Sequence, residues 1–181
     1  SRINHPNPME MVQLIARAKA KAVSLKVLDL NKTFELNNNP IDKILGCDSA
    51  FEFEGEVYGK PINSKQAEIR LQKMSSGTGF LHTGHSLLAL SNRNFKNQNI
   101  KSFEILYEKV VTTKITFCSL TLSEIRSYVE TKEPLTCAGG FALEGRGSQF
   151  IKSLDGCYTN VIGLSLPWLR ETLLSINKGK A

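Results

Sequence analysis

Apolar residues recur near every 3.6 residues in parts of this chain, and elsewhere gather in short runs broken by turn residues. From Pro8 to about Val27 they fall at Met11, Leu14, Ile15, Ala18, Ala22 and Leu25, the spacing of one helical face. Asn7 can cap this helix, Pro8 suits its first turn, and Glu10 completes a capping-box spacing. Asn37-Asn38-Asn39-Pro40 signals a loop. Lys43 to Phe53 reads as a strand, Glu54-Gly55 as a turn, and Glu56 to Tyr58 as a short returning strand. Gly59-Lys60-Pro61 ends it, and Ser64 caps a second helix with Ala67, Leu71 and Met74 on one face.

After the flexible stretch Ser75 to Gly79, two long strands are expected at about Phe80 to Ser91 and Phe103 to Phe117, joined by polar residues Asn92 to Asn99. Thr121-Leu122-Ser123-Glu124 has capping-box spacing and opens a third helix reaching Thr131. Tyr158 to Leu164 reads as a buried strand, and Pro167 to Ile176 as a C-terminal helix. Helices alternating with single and paired strands predict a mixed α/β (α+β) fold without internal repeats.

The 181 residues, 41% hydrophobic and 22% charged, suffice for one globular domain over the whole chain. No apolar run reaches the length of a membrane span, and Ser1 to Asn7 lack the apolar core of a secretory signal, so the cytoplasm is the default compartment. The start at Ser1 suggests a processed or incomplete N-terminus. Cys47, Cys118, Cys137 and Cys157 form no CxxC pair, and free thiols are expected. The net charge of +6 comes from scattered Lys and Arg without interleaved aromatics. That pattern suits a phosphate-bearing small ligand better than a stably bound nucleic acid.

Asp48, followed by Ser49 after an apolar strand, could hold a metal ion or activate water, or simply form the next turn. Lys60 sits between two residues that restrict the backbone and could meet a phosphate, or be a solvated turn lysine. Glu144-Gly145-Arg146-Gly147 offers a carboxylate and backbone N–H groups in a permissive loop, or an ordinary tight turn. It has neither P-loop nor dinucleotide-fingerprint spacing. His82 and His85, three apart on a strand, should face opposite sides and hold no metal together.

In order, these pieces resemble the Maf family of nucleotide pyrophosphatases. The resemblance rests on Arg17-Ala18-Lys19-Ala20, Gly46-Cys47-Asp48-Ser49, Gly55 to Pro61, Met74 to Gly77, Thr83-Gly84 and Thr113 to Phe117 with Leu120. It continues through Ile125 to Tyr128, Glu133-Pro134, Cys137 to Gly147 and Asn160 to Leu164. It implies an elongated mixed sheet flanked by helices, two lobes and a central cleft. The implied reaction is hydrolysis of a nucleoside triphosphate, standard or modified, to the monophosphate and pyrophosphate. Mg²⁺ or Mn²⁺ is the implied cofactor.

Residue by residue, the resemblance makes Asp48 the general base or metal-side carboxylate, and Lys60 and Lys19 the phosphate-facing lysines. Ser49 and Glu144 match positions linked to choice of base, and Thr83 joins them as a substrate-binding residue. Glu144 in place of Gln is also a mark of a branch hydrolysing 7-methylguanosine triphosphate. A nucleotide-binding protein of septum formation without catalysis is the alternative from another class. The sequence begins beyond the family's S-x-S-P-R-R turn, and Gly77 replaces a usual basic residue, so slow hydrolysis or none is expected of a chain without those groups. No membrane partner is implied, and a homodimer is an open expectation.

Overall fold

The computed structural model describes residues 7–33, 41–95 and 98–178. Its framework is a sheet of β1 (Lys43–Phe53), β2 (Glu56–Tyr58), β3 (Thr78–Phe95), β4 (Gln98–Phe117) and β5 (Ile151–Asp155), in the order β2-β1-β3-β4-β5. Every pairing is antiparallel. Around it lie α1 (Pro8–Thr33), α2 (Ser64–Met74), α3 (Leu122–Glu130), α4 (Tyr158–Ile162) and α5 (Leu166–Lys178), so the expected combination of sheet and helices holds. No helix among the described residues is long and apolar enough to cross a membrane.

The two faces of the sheet carry different cores. On one, Ala20 and Val27 of α1 pack with Ile44 and Leu88. On the other, Phe51, Phe53, Tyr58, Leu81, Ile115 and Phe117 pack against Ala67, Leu71 and Met74 of α2 and Ile125, Tyr128 and Val129 of α3. Phe51 lies at the centre, edge-on to Phe117 at 5.9 Å and to Phe141 at 5.1 Å between ring centroids.

The face of α1 corrects the sequence reading. Val12, Ala16, Ala20, Ser24 and Val27 turn inward, while Leu14 and Leu25 remain 58% and 69% exposed. The cause lies in the strands beneath. A Cβ on Gly46 would stand 2.2 Å from the carbonyl oxygen of Ala16, and one on Gly84 would stand 2.4 Å from that of Val12. The backbones therefore meet almost directly, and only small side chains fit between them.

Other boundaries follow local chemistry. Asn7 caps α1 through its side-chain oxygen, which accepts from the Met9 N–H. Asn63, not Ser64, caps α2, accepting from the Gln66 N–H at 2.9 Å. The capping box of Thr121 and Glu124 is present at α3. Residues 158–162 form a helix, not the expected strand; Gly163 ends it in the left-handed region at φ 116°. β5 was not anticipated; it extends the ladder beside the end of β4.

β3 and β4 run into the polar stretch expected to join them; Lys96 and Asn97, like the loop at 37–40, lie outside the described residues. Within this hairpin Leu87 pairs with Tyr107 but Leu88 with Ile105, so Leu106 is an unpaired extra residue, a β-bulge.

Candidate functional site

Asp48 stands on the α1 face of β1, opposite Gly84 of β3. The glycine contacts that seat α1 close to the sheet also bring Lys19 over this strand. Its Nζ lies 2.5 Å from Asp48 Oδ1 and 3.3 Å from the Cys47 carbonyl oxygen. Asp48 Oδ2 takes no hydrogen-bond partner among the described residues. Beside this pair, Arg17 donates two hydrogen bonds to Glu108, at 2.9 and 2.6 Å, and Ser86 donates a third to the same carboxylate. Arg17 thereby ties α1 across β3 to β4 and holds Glu108 below the usual carboxylate range. The Cys47 thiol, half-buried on the opposite side of β1, is pushed up to about 11 by burial.

Ser49, next in sequence, faces the other way. It pairs with Thr83 across the ladder, and the two hydroxyl oxygens are 2.8 Å apart. Thr83 is fully buried and donates its proton to the main-chain carbonyl of Asn160 at 3.0 Å. The one hydroxyl proton of Thr83 is thus spent inside the protein.

Lys60 follows β2 on an exposed turn, and its side chain has no hydrogen-bond or ion-pair partner among the described residues. The turn is fixed by Arg70, which donates to the Gly59 carbonyl at 2.8 Å and lies over the Tyr58 ring. Glu144 is likewise exposed and unpartnered among the described residues. A Cβ on Gly140 would sit 3.2 Å from Pro61 Cγ, so the segment leading to Glu144 abuts the turn bearing Lys60. Both segments lean on Phe51, three residues from Asp48, through Tyr58 and Phe141. No hydrogen bond or ion pair joins Lys60 to Asp48.

The Arg146 and Gly147 N–H groups of the Gly145 to Gly147 loop are not free for a ligand. Glu133 accepts from the Arg146 and Gly147 amides at 3.0 and 2.9 Å and from the Tyr128 hydroxyl at 2.8 Å. Burial works to raise this carboxyl, but these donors outweigh it and hold it below the ordinary value. Burial and the neighbouring carboxylate push the Tyr128 hydroxyl upward.

Glu133 and Asn160 are the structurally committed residues the sequence reading left without a role. A polar Asn beside Val161 and Ile162 is the kind of position that proves buried and hydrogen-bonded.

His82 and His85 sit on opposite faces as expected. His82 lies between Thr112 and Glu52, and His85 between the Lys109 carbonyl and the Ser165 amide. The four cysteines are free thiols. Among the described residues no group of three or more His, Cys, Asp or Glu forms a metal cage.

The profile of a family described as Maf-like protein matches residues 1–176. A relative from the SARG strain of Prochlorococcus marinus is 50% identical over 171 residues, covering 94% of this chain and 79% of that protein. One from strain NATL1A of the same species is 46% identical over 173 residues, covering 96% and 80%. One from Synechococcus sp. strain CC9311 is 48% identical over 171 residues, covering 94% and 82%. All three carry the name nucleoside triphosphate pyrophosphatase.

Proposed function

Because the chain belongs to the Maf-like family, we propose that it hydrolyses nucleoside triphosphates to the monophosphate and pyrophosphate. The observation that carries this reading is the meeting of Lys19 and Asp48, a cation and a carboxylate on separate elements. Attack of water on the α-phosphorus requires the charge of the triphosphate to be neutralised and the water to be aimed in line. Lys19, half-exposed, supplies positive charge beside the carboxylate. Lys60 supplies a second cation from the turn after β2. Asp48 orients the water and takes its proton through the oxygen not engaged by Lys19.

Asp48 would also be the protein's ligand to a divalent cation, Mg²⁺ or Mn²⁺. When bound, such an ion neutralises phosphate charge and polarises the reacting phosphoryl group. Ser49 faces the nucleoside from the opposite side of the strand, and Glu144 approaches it from the loop after Phe141. An exposed carboxylate attracts a cationic base, so 7-methylguanosine triphosphate belongs among the substrates to be compared.

The test is pyrophosphate release from a panel of nucleoside triphosphates with Mg²⁺ or Mn²⁺. Asp48→Asn should abolish release while nucleotide binding, measured calorimetrically, survives. Release of orthophosphate instead, or full activity in the variant, would refute the assignment.

A further inference from the structure

Hydrogen accounting around Ser49 goes beyond the reaction itself. Thr83 has one hydroxyl proton, and the Asn160 carbonyl that it meets at 3.0 Å can only accept. Ser49, 2.8 Å from Thr83 Oγ1, must therefore be the donor in that pair. With its own proton committed, Ser49 Oγ presents only lone pairs to whatever lies before it.

The carbonyl that sets this polarity is itself held rigidly. Asn160 is fully buried, and its Nδ2 donates to the Leu81 carbonyl at 3.3 Å and to Thr113 Oγ1 at 3.1 Å. Thr113 passes its proton on to the Cys157 carbonyl at 2.8 Å. A flipped amide would set Asn160 Oδ1 against the Leu81 carbonyl, so the orientation is unique. The turn after α4 presents Gly163 towards Ser49, where even an added Cβ would stay 3.8 Å from Ser49 Oγ. Ser49 itself is half-buried.

Resting on the reading of the site as a nucleotide pyrophosphatase, we infer that Thr83 and Asn160 are positioning residues that lock Ser49 as an acceptor. The nucleoside group opposite Ser49 is then a hydrogen-bond donor: an N–H of the base or a hydroxyl of the sugar. Groups that present only lone pairs there meet a like-for-like clash and are rejected.

Thr83→Val removes the relay while keeping the shape of the side chain, and the Ser49 hydroxyl becomes free to donate. The kcat/KM ratio between the best and worst of ATP, CTP, GTP and UTP should then narrow by about tenfold, the worth of one neutral hydrogen bond. If the sugar is the donor, the ratio of ribo- to deoxyribonucleotides narrows instead. Thr83→Ser should restore the wild-type ratio.

Ser49→Ala leaves the Thr83–Asn160 bond intact and should narrow the same ratio, which covers the case in which Thr83→Val does not fold. Unchanged ratios of both kinds in a folded Thr83→Val or in Ser49→Ala would overturn the inference. Calorimetric binding reads the same ratios without turnover. A wild-type protein that binds selectively but releases no pyrophosphate therefore sinks the proposed reaction and not the relay; one that binds none of the nucleotides sinks both.

Discussion

Lys19 and Asp48 are 29 positions apart in sequence, yet Lys19 Nζ stands 2.5 Å from Asp48 Oδ1. In the proposed reaction the two would divide the work, Lys19 meeting charge and Asp48 meeting water. Lys19→Met should lower pyrophosphate release by about a hundredfold, the range for loss of one preorganised electrostatic contact. Lys19→Arg, which keeps the charge, should lose less. Steady-state kinetics on both variants check this; equal losses would mean that the charge is irrelevant.

The pairing depends on how closely α1 lies on the sheet. Gly84→Ala and Gly46→Ala would each drive a methyl into helix backbone, and each should cost about 3 kcal/mol in urea unfolding. Gly59, around which an added Cβ meets nothing within 4 Å, provides the contrast. Gly59→Ala should change stability by less than about 0.5 kcal/mol.

Glu133 holds the loop after Glu144 by accepting from three donors. Gln offers one acceptor oxygen and turns an NH₂ group towards a donor, so Glu133→Gln should cost about 2 kcal/mol. If Glu144 meets the base, KM should rise more than kcat falls. The folded carboxyl titrates below its unfolded value. Its contribution is thus complete above about pH 4.3 and is lost as the pH falls through the folded value. Acid titrations of wild type and variant should converge at the lowest pH.

His85 gives a second, separate pH dependence. Its Nδ1–H donates to the Lys109 carbonyl, and its Nε2 accepts from the Ser165 amide at the start of α5. Burial holds the pKa below the ordinary histidine value, and a second ring proton would displace the Ser165 N–H. The unfolded chain therefore takes up a proton before the folded one. Stability should be full above about pH 6.5 and decline as the pH falls from there to the folded value. Urea midpoints at pH 7.5 and 5.5 should differ in wild type and differ less in His85→Gln.

Local signals carried much of this architecture. A short apolar run followed by Glu54-Gly55 marked β1 and β2 to the residue, and Thr121 with Glu124 announced α3. The inward face of α1 was misread because hydrophobicity names what a helix would bury on a flat surface. Here the facing glycines admit only small side chains, a property of the partner strands. α4 was misread because a short apolar run fits strand or helix equally, and the Gly163 turn decides it.

The site shows the same division. Asp48 stood out as a residue and Lys19 only through the family resemblance, and their contact depends on helix–sheet distance. That Thr83 gives its proton to the Asn160 carbonyl, 77 positions away, is a contact no local signal announces.

The extra residue at Leu106 does more than bend a hairpin. On an unbroken strand Phe103 and Phe117, both odd-numbered, would point to one side. Instead Phe103 packs with Leu88, Ile44 and Ala20 beneath α1, while Phe117 enters the aromatic cluster on the reverse side. A single slip in phase thus lets β4 feed two separate interiors from the same set of alternate positions. Removing that one residue would not shorten the hairpin so much as withdraw an aromatic ring from beneath the helix that carries Lys19.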